Sequence, residues 1–148
     1  MKRDRESIQI IKASEDAIIP IQAHDTDAGY DITIISLKKD YQNGVYLYDT
    51  GLIIAPESTD IYFEIYARSS LAKYGYMLAN SVGIIDTEYR GSLMIQLYKF
   101  DTTAPDIKLP MRVAQMIPKR SVKIKLVEKS SIEDNSTERG TGGFGSTG

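Results

Sequence analysis

Four short stretches of the chain carry side chains that could do chemistry. In Asp86-Thr87-Glu88-Tyr89 a carboxylate stands three residues before a phenol, in a turn-like setting between apolar Ile84-Ile85 and Gly91. Taken alone, such an Asp shapes a turn and such a Tyr packs. Ala67-Arg68-Ser69-Ser70 ends an apolar run and combines a guanidinium, two hydroxyls and the amides of a possible helix start. That combination makes an anion site, although a plain helix cap beside a surface arginine fits it equally well. Arg112-Val113-Ala114-Gln115 puts an Arg and a Gln in a strand, and in Ala28-Gly29-Tyr30-Asp31-Ile32 a turn enters a strand with Asp31 at its mouth. None of the four is specific singly.

The elements that must position them are strands. Ser7 to Ile11, Asp31 to Ile35, Val45 to Leu52, Asp60 to Ala67, Ser92 to Phe100, Val113 to Ile117 and Val122 to Val127 are short runs rich in β-branched or aromatic residues. In Ser121-Val122-Lys123-Ile124-Lys125-Leu126 every second residue is apolar, the period of a half-buried strand. Turn signals separate the runs at Asp27-Ala28-Gly29, Asn43-Gly44, Ala55-Pro56-Glu57-Ser58 and Thr103-Ala104-Pro105-Asp106. Regular short strands between turns predict an all-β sandwich or jelly roll. One short helix is expected at Ser69 to Tyr74, capped by Ser69 or Ser70. Around Asp86 the apolar flanks predict a hairpin. No internal repeat is present.

Composition narrows the function classes. At 148 residues the chain fits one domain with a sizeable core. A net charge of -2 argues against a broad grip on nucleic-acid backbone, though a few basic groups suffice for one triphosphate. With no cysteine there is neither a disulfide framework nor a thiolate zinc site, and a single histidine, His24, excludes a multi-histidine metal centre. No apolar run approaches the roughly 18–20 residues of a membrane span, and Met1 to Ile11 lacks the pattern of a secretory signal. The expected location is the cytoplasm, or the host cytoplasm or nucleus for a viral source.

Composition shifts after Val127. Lys129 to Glu138 is polar, and five of the nine residues from Gly140 to Gly148 are glycine. Alone, that reads as a linker-like tail. In residues 139–148 one cation, Arg139, and one large apolar residue, Phe144, set it apart from a neutral tail.

Taken in order, Ala28–Ile32, Ala67–Ser70, Gly83–Gly91, Arg112–Gln115 and Arg139–Gly148 resemble the five motifs of the trimeric dUTPase family. The third and fifth are long and specific, and the resemblance runs from Ala28 to the last residue. It implies a β-clip type jelly roll over residues 1–128 and a flexible Gly-rich arm over 129–148 that closes as a lid. It also implies a homotrimer with active sites shared between subunits. The implied reaction is hydrolysis of dUTP to dUMP and pyrophosphate by in-line attack of water on the α-phosphorus. Asp86 would be the general base, its value lying in position as much as in basicity. Tyr89 would pack against the deoxyribose and exclude a 2′-hydroxyl. Asn80, with backbone at Gly83 and Ile85, would read the uracil edge, and cytosine would leave buried groups unpaired. Phe144 would stack over the base.

By the same resemblance, Arg68, Ser69, Ser70 and Gln115 would bind phosphate, joined from the arm by Arg139, Gly145, Ser146 and Thr147. Asp31 would help hold Mg²⁺ through water. Two departures from the family pattern are small: Ala67 and Ser70 stand where many members have Pro and Gly, and Ile32 replaces a commoner Leu. The related dCTP deaminases share an Arg-Ser-Ser-Leu-Ala stretch but need a glutamate on the strand after the third motif. This chain has Gln96 there, which cannot serve as that base. A fold-retaining regulatory protein would be expected to lose Asp86, Tyr89 or the arm, and all are present.

Overall fold

The computed structural model describes residues 5–132 and 137–145. Its strands are β1 Ile8–Lys12, β2 Tyr30–Ile34, β3 Ser36–Asp40, β4 Val45–Asp49, β5 Leu52–Pro56, β6 Ile61–Ala67, β7 Tyr76–Leu78, β8 Gly83–Ile85, β9 Met94–Lys99 and β10 Met111–Arg120. Among the described residues the one helical element is a 3-10 turn at Leu71–Tyr74. All pairings are antiparallel. One four-stranded sheet runs β2-β10-β6-β8, a second runs β3-β4-β9-β7, and β1 pairs with β5 in a two-stranded ribbon. The all-β, jelly-roll expectation matches this arrangement.

Strand periodicity explains the core. In β6, Ile61, Phe63 and Ile65 point inward, while Tyr62, Glu64 and Tyr66 face out. Phe63 and Ile65 meet Ile32, Ile34, Val113 and Met116 of the first sheet and Tyr48, Leu78, Ile95 and Leu97 of the second. Each such side chain contributes about 1.5–3 kcal/mol on full burial. On the outer face, the Tyr62 and Tyr66 phenols donate to Glu64 at 3.2 and 2.7 Å, bracing the strand along its length. That bond to Glu64, and secondarily burial, raises the Tyr66 phenol above its ordinary value.

Five expectations from the sequence are corrected. The run Val45 to Leu52 is two strands, because the chain turns at Thr50-Gly51. Gly51 has φ 68°, and the buried Thr50 hydroxyl donates to the Leu93 carbonyl at 2.7 Å. The expected helix is only the 3-10 turn; Ser70 stands at its N-cap without a side-chain cap bond, and Gly75 closes it at φ 82°. The expected hairpin around Asp86 is a crossover between sheets, since β8 pairs with β6 whereas β9 pairs with β4 and β7. Val122 to Val127 forms no strand, and its apolar side chains stand in solvent, Val122 at 83 % and Leu126 at 87 % exposure. Pro56 also belongs to β5, so the turn expected there falls at residues 57–60.

A buried polar knot fixes the crossover. Asp49, at the end of β4, accepts hydrogen bonds from the Ser92 hydroxyl and from the Gly51 amide at 2.9 Å, and Lys38 lies 3.4 Å away. Burial pushes its carboxyl up, but these partners together outweigh that and hold it below the ordinary value of 3.8. No helix among the described residues is long and apolar enough to cross a membrane.

Candidate active site

At one end of the first sheet, β2, β10 and the exit of β6 bring three motifs together. Asp31 on β2 lies opposite Gln115 on β10, which in turn lies opposite Tyr66 on β6. The Asp31 carboxylate sits between two guanidinium groups, with Arg68 Nε at 3.2 Å and Arg112 Nη1 at 3.3 Å. Gln115 donates to the Ala67 carbonyl at 3.3 Å. A Cβ on Gly29 would fall 2.6 Å from Gln115 Oε1, so the glycine lets the amide lie against the incoming loop. The Arg68 amide donates to the Val113 carbonyl at 3.1 Å, and the Arg68 carbonyl accepts from Leu71 at 3.0 Å. Ser69 is exposed and Ser70 half-buried beside them. In the sequence Arg112 is only part of a motif; the structure makes it the second partner of Asp31.

A bulge explains how Arg112 reaches that partner. Three residues of regular strand would put Arg112 and Gln115 on opposite faces. The register shifts between Arg112 and Ala114, however, and Val113 and Ala114 are both buried. That extra residue turns both polar side chains toward Asp31.

The crossover segment forms a separate cluster. Asn80 is exposed on the turn before β8, Gly83 is buried opposite Ile65, and Ile85 pairs with Phe63. A Cβ on Gly83 would lie 3.1 Å from Ile65 Cβ and 3.5 Å from Asn80 Nδ2. Asp86 follows β8 with its side chain exposed, and its carbonyl accepts from the Tyr89 amide at 3.1 Å. The Thr87 hydroxyl donates to Ile61 at 2.6 Å, pinning the segment to the start of β6. Arg90 Nη1 donates to the Thr87 and Tyr89 carbonyls at 2.7 and 2.9 Å, and the Tyr89 hydroxyl donates to the Ser92 carbonyl at 3.0 Å.

Gly83 pairs near the Ala67 end of β6, but Asp86 does not reach the anion cluster of its own chain. Asp86 and Thr87 lie at the Ile61 end of β6, Arg68 beyond its Ala67 end, and the seven residues between them span about 20 Å at strand rise. Among the described residues the arm joins neither cluster. Phe144 is fully exposed with φ 49°, and Arg139 Nε donates to Gly142 of the arm itself, at 3.0 Å. Gly145 is in the left-handed region at φ 87° and has open space around it. Ser146 and Thr147 lie outside the described residues. A cleft of about 590 Å³ between β1, β5, β6 and β10 contains none of the candidate site residues. A smaller one of about 330 Å³ borders the anion end, lined by Asp31, Arg112, Ile18 and Pro110 among others.

No group of three or more metal-ligating side chains occurs among the described residues. One carboxylate braced by arginines does not make a protein cage. It does suit Mg²⁺, which keeps several waters and takes most remaining ligands from phosphate.

Fold and site together define an all-β protein with two arginines gathered around one carboxylate at a sheet end. A dUTPase family model matches residues 15–148. Deoxyuridine 5'-triphosphate nucleotidohydrolase of Alkaliphilus metalliredigens is 38% identical over 144 residues, covering 96% of this chain and 97% of the relative. The Yarrowia lipolytica protein of the same name is 39% identical over 146 residues, covering 96% and 89%. Among solved structures, a Staphylococcus bacteriophage 80alpha dUTPase mutant with dUpNHpp aligns at TM-score 0.74 and 20% identity, covering 96% and 98%. A mutant dUTPase from phage phi11 of S. aureus, described with a structural Mg(II) ion, aligns at TM-score 0.66 and 18% identity, covering 86% and 99%. The chain belongs to the dUTPase family.

Proposed function

We propose that this protein hydrolyses dUTP to dUMP and pyrophosphate, keeping uracil out of DNA and supplying dUMP. The observation that carries the reading is the pairing of Arg68 and Arg112 around Asp31 at one end of β6, with the exposed Asp86 and Tyr89 at the other. The arginines, with Ser69, Ser70 and Gln115, bind the triphosphate, where charge-assisted bonds to guanidinium are strong and directional. Asp86 accepts the proton of the attacking water and orients it in line with the departing pyrophosphate. Tyr89 closes on the face of the deoxyribose and leaves no room for a 2′-hydroxyl. Asn80 and the backbone at Gly83 and Ile85 satisfy the uracil edge. Asp31 would hold Mg²⁺ through water; that ion, when bound, supplies positive charge against the phosphate oxygens. The arm, with Arg139, Phe144, Gly145, Ser146 and Thr147, closes over the ligand as a lid.

A site complete enough to do this needs a second copy of the chain. Asp86 and Arg68 stand at opposite ends of β6, about 20 Å apart at strand rise, too far for the general base and the phosphate ligands of one chain to meet at one phosphorus. Among the described residues the arm touches neither cluster of its own chain. These features support a homotrimer in which each site draws its nucleoside cluster and its anion cluster from different subunits. The exposed Val122, Ile124 and Leu126 stripe supports assembly too, because an apolar alternation needs a partner.

The test is pyrophosphate release with Mg²⁺ from dUTP, dCTP, dTTP and UTP in parallel. Release from dUTP alone supports the proposal. Conversion of dCTP to dUTP, or no release from dUTP, overturns it.

A further inference from the structure

We infer that Gly91 is a positioning residue for sugar selection: by lacking a side chain, it sets where the Tyr89 ring stands. The inference rests on the reading of Tyr89 given above. A Cβ on Gly91 would fall 2.5 Å from Tyr89 Cζ and 3.0 Å from Cε2, and closer still to the hydroxyl oxygen. Atoms do not pack at such separations, so any other L-residue at this position displaces the ring. Backbone conformation does not explain the glycine. Gly91 is outside the left-handed region in which Gly51, Gly75 and others sit. What requires glycine here is the neighbouring ring.

The ring is then held from three directions. Its hydroxyl donates to the Ser92 carbonyl at 3.0 Å, and the Ser92 side chain donates to the buried Asp49. Its backbone is tied down by Arg90, whose Nη1 bonds the carbonyls on either side of Glu88 and Tyr89 at 2.7 and 2.9 Å. Its hydroxyl end lies against Gly91, while the residue remains 45% exposed. A wall that must distinguish a hydrogen from a hydroxyl on the sugar discriminates by a displacement smaller than one atom. A flexible phenol could not do that; a phenol pinned at its hydroxyl and seated on bare backbone can. Gly91 touches neither sugar nor phosphate and acts only through Tyr89.

The experiment is a double-mutant cycle on the full-length protein. Binding of the non-hydrolysable α,β-imido analogues of dUTP and UTP is measured by calorimetry for the parent, Gly91→Ala, Tyr89→Ala and the double variant. The inference expects Gly91→Ala to weaken the dUTP analogue at least tenfold and narrow its preference over the UTP analogue. In the Tyr89→Ala background the same substitution should change neither affinity by more than about twofold. If Tyr89→Ala leaves the preference intact, the reading of Tyr89 itself fails and the inference goes with it. If Tyr89→Ala narrows the preference but Gly91→Ala does not, or harms both backgrounds alike, the reading of Tyr89 stands and the role of Gly91 is refuted. Should Gly91→Ala not fold alone, folding of the double variant would support the ring clash, and failure of both would overturn it.

Discussion

Asp31 shows how much a single side chain's surroundings decide. Its two oxygens are each engaged by a different arginine, so both cations are preoriented before any phosphate arrives. Arg112→Ala should therefore lower kcat/KM for dUTP by about tenfold, roughly 1.4 kcal/mol, with the loss falling mainly on KM; steady-state kinetics reads the split. Asp86→Asn should abolish pyrophosphate release while dUTP binding, followed by calorimetry, stays within about threefold of the parent, because the amide keeps the shape of the carboxylate but loses its basicity. Asp86, Tyr89, Arg68 and Gln115 could be nominated from the sequence because their motifs occur in order. Arg112 could not be joined to Asp31 that way. Its place depends on a bulge at Val113, and the only trace of that bulge is two consecutive apolar residues where a regular strand would alternate.

Strand periodicity made most of the elements legible, for the reason that β6 illustrates: alternate residues face a core and a surface, and composition records the difference. It failed where the pattern lacked a neighbour. Val122 to Val127 alternates as cleanly as any strand, yet a strand exists only when another pairs with it, and none of the described residues of its own chain does. It failed again around Asp86, because apolar flanks do not say which sheet each flank joins. The buried knot at Asp49 sets the acid limit of this part of the fold. Its carboxyl is held below 3.8 in the folded chain, so its contribution is present in full above that value and lost as pH falls through the depressed one. In urea titrations, Asp49→Asn should cost about 1–3 kcal/mol at pH 7, and the gap between variant and parent should shrink below about pH 4. Removing residues 139–148 should cost most of the turnover and leave the melting temperature within about 2 °C, since the described part of the arm adds no strand to either sheet.

At the scale of the molecule, the length of β6 has a genetic reading. If its two ends serve different sites, a chain dead at one end still carries a sound copy of the other. A chain lacking Arg68 and a chain lacking Asp86, each inactive when expressed alone, should then complement one another when produced together. Every assembly containing both would join an intact crossover from one chain to an intact anion end from its neighbour. Co-refolding Arg68→Ala with Asp86→Asn should recover a measurable fraction of parental dUTP hydrolysis, and no mixing ratio should recover it if each chain closes its own site. The same arithmetic makes the Arg68→Ala, Asp86→Asn double variant the more harmful allele. Broken at both ends, it complements nothing and spoils the neighbours on either side of it.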